Sequence, residues 1–304
     1  MAKKNKKNNE VLPEGMSRRQ AKLAARAAER AALDRDPRPY GGLAAEADLV
    51  ALQEFVPSAV AKLDITGVDR DVYVATVLPG GGPAMVRDNG DAFVALQTQS
   101  RSHNPGRDLA YALAWVKDAA PGSTLDSAVA DGSEPKLTDL IAADAELEIT
   151  EHQDFNWWFP EGSTLDAMTA QALQTANDAV VESHRVDADV PGAVWWVDPG
   201  SGKAHIRWVR TDDNEDALLN ALARIAARGE LNLGEDTKFA GVFRTHGILV
   251  PVFDLDPTVT SGEYDDELAR LDKAIAAELD NDAQLSADER KQLQNIKSRQ
   301  VTIR

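Results

Sequence analysis

The sequence predicts an α+β protein in which two related units of antiparallel sheet, a pattern consistent with duplication, are packed by helices and preceded by a basic N-terminal helix. Three observations lead there. Stretches with apolar residues at helical spacing alternate with short runs of strand-forming residues. Asn-Gly and Pro-Gly turn signals fold those runs into hairpins. Each half also repeats one grammar of a leading helix, antiparallel strands, a hairpin and a helix on the sheet. With 304 residues, 43% of them hydrophobic, the chain is long enough for roughly two domains with ordinary buried cores. The expected boundaries are 1–42 for a basic arm, helix and linker, 43–159 for the first unit, 160–280 for the second, and 281–304 for a C-terminal helix and basic tail.

Taken in order, Lys3, Lys4, Lys6 and Lys7 are followed by no apolar core of the kind an export signal needs. Ser17-Arg18-Arg19-Gln20 fits a capping box, which predicts a helix from Ser17 to Leu33. Its interior is mostly Ala, and Leu23 and Leu33 are its only large apolar side chains, so hydrophobic burial alone does not anchor it. Arg18, Lys22, Arg26 and Arg30 recur every four residues and form one basic stripe, with Arg19 beside it. Pro37, Pro39 and the Gly41-Gly42 pair then break the helix, so the folded body is expected to start near Leu43.

Leu49, Val50, Leu52 and Phe55 predict a helix over Ala45 to Phe55, stopped by Pro57. Strands follow at Ala59 to Ile65 and Asp71 to Leu78. A hairpin over Pro83 to Leu96 turns at Asp88-Asn89-Gly90, and a helix over Arg107 to Asp118 carries Leu109, Leu113 and Val116 on one face. A turn-rich stretch, a short helix at Lys136 to Ala142 and strands through Glu146 to Phe159 complete the first half. Leu165, Met168, Ala172, Ala176 and Val180 then predict an amphipathic helix over Thr164 to Glu182. A short strand leads to a hairpin, Ala193 to Val197 against Ala204 to Val209, and to a helix over Asn214 to Arg228 ended by Gly229. A second hairpin crosses Thr245-His246-Gly247. Helices over Tyr264 to Leu279 and Ser286 to Lys297 close the chain, the latter opened by the capping box Ser286-Ala287-Asp288-Glu289. The element order of this half resembles the small chaperone-like fold of secretion chaperones.

The formal net charge of −17 is an average over unlike segments. Residues 1–38 carry +6 and residues 290–304 carry +5, which leaves −28 on residues 39–289. An acidic body of that kind repels phosphate backbones, so any polyanion is expected at the basic ends. The nine cations Lys3, Lys4, Lys6, Lys7, Arg18, Arg19, Lys22, Arg26 and Arg30 are candidates for contacting RNA, a ribosome or DNA. The same residues also fit a solubilising tail, or a helix docked on the molecule's own acidic body. No apolar run is long enough for a membrane span, and a cytoplasmic location is expected.

Chemistry motifs are few. The chain has no cysteine, which excludes disulfides, cysteine-ligated zinc and thiol nucleophiles. Gly200-Ser201-Gly202-Lys203 lacks both the earlier glycine, where Val197 stands, and the Ser or Thr after the lysine, where Ala204 stands, so it reads as a hairpin turn and not a phosphate loop. The five histidines are widely separated, no Gly-x-Ser-x-Gly elbow is present, and no cofactor, metal or catalytic residue is expected. Trp157-Trp158 and Trp195-Trp196 are adjacent pairs in strand-like runs, so each should send one indole to either sheet face. With Trp208 on the partner strand, these tryptophans are candidates for second-layer packing or for a protein-binding face.

Arg38-Pro39-Tyr40-Gly41-Gly42-Leu43, Asp48 to Ala59 and Ala75-Thr76-Val77-Leu78-Pro79 resemble an actinobacterial family of unknown function, over about Arg38 to Leu255. Some members of that family carry, before this region, a cysteine-rich zinc module like that at the C-terminus of the SecA translocase. The basic helix takes its place here and no cysteine is available, so neither zinc nor a SecA role transfers. The resemblance implies one body behind varied N-terminal tethers. The expected function is therefore a non-catalytic cytoplasmic adaptor, its arm tethered to RNA, ribosome or DNA and its acidic body on a protein partner. A chaperone-like or secretion-related factor with an exposed tryptophan face, or an unrecognised enzyme using carboxylates, are the alternatives.

Overall fold

The computed structural model describes residues 35–302, together with Arg19, Gln20 and Leu23. The predicted helix at Ser17 to Leu33 therefore falls largely outside the described residues. Arg19, Gln20 and Leu23 are helical and exposed. Residues 35–302 form two six-stranded sheets packed by seven α-helices.

The first unit runs α1 (Glu46–Glu54), β1 (Ala59–Lys62), β2 (Val72–Ala75), β3 (Ala84–Val86), β4 (Ala92–Ala95), α2 (Pro105–Asp118), β5 (Thr124–Leu125), α3 (Leu137–Leu140) and β6 (Glu148–Glu151). Its strands lie in the order β5-β3-β4-β2-β1-β6. The second unit runs α4 (Ala167–Asn177), β7 (Glu182–Val186), β8 (Ala193–Asp198), β9 (Ala204–Val209), α5 (Glu215–Ala227), β10 (Lys238–Thr245), β11 (Ile248–Leu255), α6 (Asp265–Leu279), α7 (Ala287–Ser298) and β12 (Val301–Thr302). Its order is β12-β10-β11-β9-β8-β7. Each sheet is antiparallel apart from one parallel pair, β2 with β4 and β10 with β12.

Hairpin followed by helix recurs as β3-β4-α2 and as β8-β9-α5. The four central strands of both sheets also share the order first-second-fourth-third, β1-β2-β4-β3 and β8-β9-β11-β10. The helix falls after the fourth strand in one unit and between the second and third in the other, so the two chain paths differ around a shared arrangement.

One hydrophobic core spans both units. Val50 and Leu52 of α1, Leu113 of α2 and Val74 and Val94 of the first sheet pack with Trp195, Val197, Val209 and Val250 of the second. The helix α1 is buried nearly all round, touching β8 and β9 and sharing the hydrophobic core of the first sheet. A helix in that position carries apolar residues on every face and not in one stripe. The opposite face of the second sheet, with Trp196, Ile206, Trp208 and Phe253, is covered by α5, α6 and α7. These helices have the caps their sequences call for. Asn214 accepts from Ala217 N at 3.0 Å, and the box at Ser286 and Glu289 is formed.

Three expectations are corrected. The stripe from Leu165 to Val180 faces no core. Asp166 accepts from the amides of Met168 and Thr169, so α4 starts there, and it buries no residue, with Met168 81% exposed. Trp157 and Trp158 lie on a 3₁₀ turn, Asn156–Trp158, and not on a strand. Asp154 and Asn177 bind the amides of Asn156 and Phe155, at 2.9 and 2.7 Å, and pull the chain out of the sheet. Finally, residues 36–42 are not a free linker: Tyr40 is 1% exposed, inside the shared core.

Candidate functional site

The segment from Asp36 to Gly42 is a strap seated across both units. Pro37 and Pro39 fix its backbone and leave their carbonyls free to meet other elements. A Cβ on Gly247 would lie 2.2 Å from the Pro37 oxygen, and one on Gly106 would lie 2.3 Å from the Pro39 oxygen, so glycine is required at both crossings. Arg38 holds the centre. Its Nε and Nη2 donate to the two carboxylate oxygens of Glu46 at 2.6 and 2.8 Å. Nη1 reaches Asp213 at 2.8 Å and Nη2 reaches the Thr211 carbonyl at 2.9 Å, both in the second unit. The Asp36 amide donates to Asn104 Oδ1 at 2.6 Å at the start of α2.

Beside the strap lies a cleft of about 960 Å³, lined by Arg35, Asp36 and Pro39, the end of α1, the loop from Gln97 to His103, and the β10–β11 turn. Gln97 fixes that loop by donating to the carbonyls of Leu52 and Val56 at 2.7 and 2.8 Å, capping the end of α1. The turn residues His246 and Gly247 both have positive φ, +48° and +76°, as a two-residue hairpin turn demands. Histidine is among the non-glycine residues that adopt left-handed backbone most readily. His246 Nε2 lies 2.6 Å from Glu54 Oε1, both side chains about nine-tenths buried. Tyr40 packs against the ring at 5.8 Å and donates its hydroxyl to Gln53 at 2.6 Å. No group of three His, Cys, Asp or Glu among the described residues is placed to hold a metal ion.

Burial pushes the Tyr40 phenol above its ordinary pKa, with the charges of Glu54 and Asp108 adding to the effect. A raised folded-state pKa means this stabilising contribution is complete below about pH 10, where the unfolded phenol is still protonated, and is lost as pH rises beyond it. The urea midpoint of the protein should therefore fall more steeply between about pH 9 and 11 than that of Tyr40→Phe. Some decline remains in the variant, because burial also raises Tyr264. Equal slopes in the two proteins would contradict this assignment.

A model for a family of unknown function, DUF5926, matches residues 39–304. The chain belongs to this family. No curated protein and no solved structure matches it. The DUF5926 region begins inside the strap, at Pro39, and takes in both sheets, so the basic arm lies before it.

Within the DUF5926 body the candidate tryptophans divide. Trp195 and Trp208 are 0% exposed and Trp196 is 4% exposed. As alternation requires, Trp195 enters the shared core and Trp196 the core under the helices, which leaves neither on a surface. These three are packing residues in this structure. Trp157 and Trp158 stay half-buried, their indole N–H groups donating to Ser58 Oγ at 2.9 Å and to the Val77 carbonyl at 3.0 Å. Of the arm cations, Lys3, Lys4, Lys6, Lys7, Arg18, Lys22, Arg26 and Arg30 lie outside the described residues, and Arg19 is exposed. The lysine of the Gly-Ser-Gly-Lys run, Lys203, sits just before β9 beyond the hairpin turn, 2.6 Å from Asp254. Sequence reasoning missed the Arg38–Glu46 and His246–Glu54 pairs. Their partners are 8 and 192 residues apart and no spacing motif links them.

Proposed function

We propose that the protein is a non-catalytic, cytoplasmic adaptor. Its basic arm tethers it to a polyanion, RNA, a ribosome or DNA, and its acidic body engages a protein partner. The observation that carries this reading is the strap. The arm joins the body through a segment held by Arg38 to both units, so a load on the arm reaches the whole fold and not a loose linker. Charge supports the division of labour, because residues 1–38 carry +6 in front of a body of −28. A protein partner for that body is expected to present a basic surface, since complementary potentials speed encounter and fix orientation.

The test is co-sedimentation with ribosomes at low and high salt, comparing the intact protein with residues 35–304. Truncation must stop before the strap, because Arg38 belongs to the fold. The intact protein is expected to sediment with ribosomes at low salt only, and the truncated protein at neither. Equal behaviour of the two proteins contradicts a ribosomal tether, and a filter assay with DNA then tests the other polyanion.

A further inference from the structure

A second recess lies on the face of the first sheet that α1 and α2 leave uncovered. Arg87, just after β3, lies 4.2 Å from the centre of the Phe93 ring and donates to the Trp157 carbonyl. No carboxylate pairs with it among the described residues. Its Nε is buried without an acceptor. Arginine keeps its charge under all ordinary conditions, so this cation depends on one carbonyl, one ring face and the more distant Asp91. Burial lowers its pKa, in keeping with incomplete compensation.

The guanidinium borders a recess of about 580 Å³, within the range of small-molecule sites. Trp157 and Phe159 form one wall, and Leu165 and Leu173 bring in the segment of α4. That segment buries no residue and is tied to the 3₁₀ turn through Asn177, which accepts from Phe155 N and donates to Asn156. Glu161, on the lining, is exposed. Trp157, Phe159, Leu165 and Leu173 beside one under-compensated cation, with Asn156, Glu161 and Ser163 on the rest of the lining, suit a ligand with an apolar ring and a single negative charge. A single guanidinium balances the one charge of a carboxylate and matches its two oxygens with parallel N–H donors.

We propose that this recess binds a small aromatic carboxylate, its carboxyl group on Arg87 and its ring against Trp157 and Phe159. The site is independent of the basic arm.

The test uses the full chain and phenylacetate as probe, following the Trp157 indole N–H resonance, assigned by its loss in Trp157→Phe. Phenylacetate is expected to shift it saturably, and Arg87→Gln to weaken binding roughly tenfold or more, the loss of one charge-assisted hydrogen bond. Arg87→Lys should recover part of the affinity. Unchanged Trp195 and Trp208 resonances show that a variant is folded. Should Arg87→Gln not fold, Phe159→Ala, which keeps the cation and removes a wall, is expected to weaken the probe as well. The absence of a saturable shift would overturn the proposal. So would 2-phenylethanol binding as tightly as phenylacetate, or phenyl phosphate binding more tightly.

Discussion

Arg38→Ala is expected to destabilise the body by about 3–5 kcal/mol, the range for breaking a buried ion pair from one side. Glu46 is the reason. Its side chain is 4% exposed at the start of α1, and both its oxygens are bound by Arg38. Removing the guanidinium strands a charge in the shared core, and also releases the contacts to Asp213 and Thr211 that connect the second unit. Arg38→Lys should recover only part of the loss, because an ammonium cannot form the two-pronged contact. The double variant Arg38→Met with Glu46→Leu should recover most of it, since two apolar groups leave no stranded charge. Urea unfolding measures all three. A cost below about 1 kcal/mol for Arg38→Ala, typical of a surface pair, would show that the strap does not hold the units.

Trp195→Ala should cost about 3–5 kcal/mol, as large-to-small changes of buried aromatics do. The side chain is 0% exposed and lies in the core that joins α1, α2 and both sheets. The position of the loss is as informative as its size. If that core makes the units one cooperative body, the variant still unfolds in a single transition, shifted as a whole. Two resolved transitions, with only the second unit weakened, would contradict the shared core. Trp195→Phe should be far milder, because the indole N–H it removes is buried without a partner among the described residues.

Local chemistry was legible in the sequence and long-range chemistry was not. Asn89-Gly90, the run from Pro199 to Lys203 and His246-Gly247 place hairpins by turn geometry alone, and Asn214 and Ser286 place helix starts. These signals act within a few residues. Two prolines and two glycines give residues 36–42 a composition typical of linkers. What converts this strap into core is Glu46, Gln53, Gly106 and Gly247, which meet it only in three dimensions. Likewise Glu46 and Gln53 on α1 look like solvent-facing residues until Arg38 and Tyr40 satisfy them. The adjacent tryptophans show both outcomes. Trp195-Trp196 follow the alternation of a strand covered on both faces, whereas Trp157-Trp158 carry the same residue types but follow Asp154, whose side chain captures the Asn156 amide and starts a turn.

The proposed role of the arm before the strap is to tether polyanions. It is tested most directly by the affinity of the intact protein and of residues 35–304 for a single-stranded RNA oligonucleotide across a salt series. Each phosphate contact contributes about −0.7 to the slope of log affinity against log salt, so several contacts from the arm give a distinctly negative slope. The intact protein is expected to show such a slope, and residues 35–304, which of the two basic ends keep only the C-terminal one, to bind far more weakly and with a shallower slope. Equal affinity of the two proteins, or binding by the intact protein that is indifferent to salt, would contradict it.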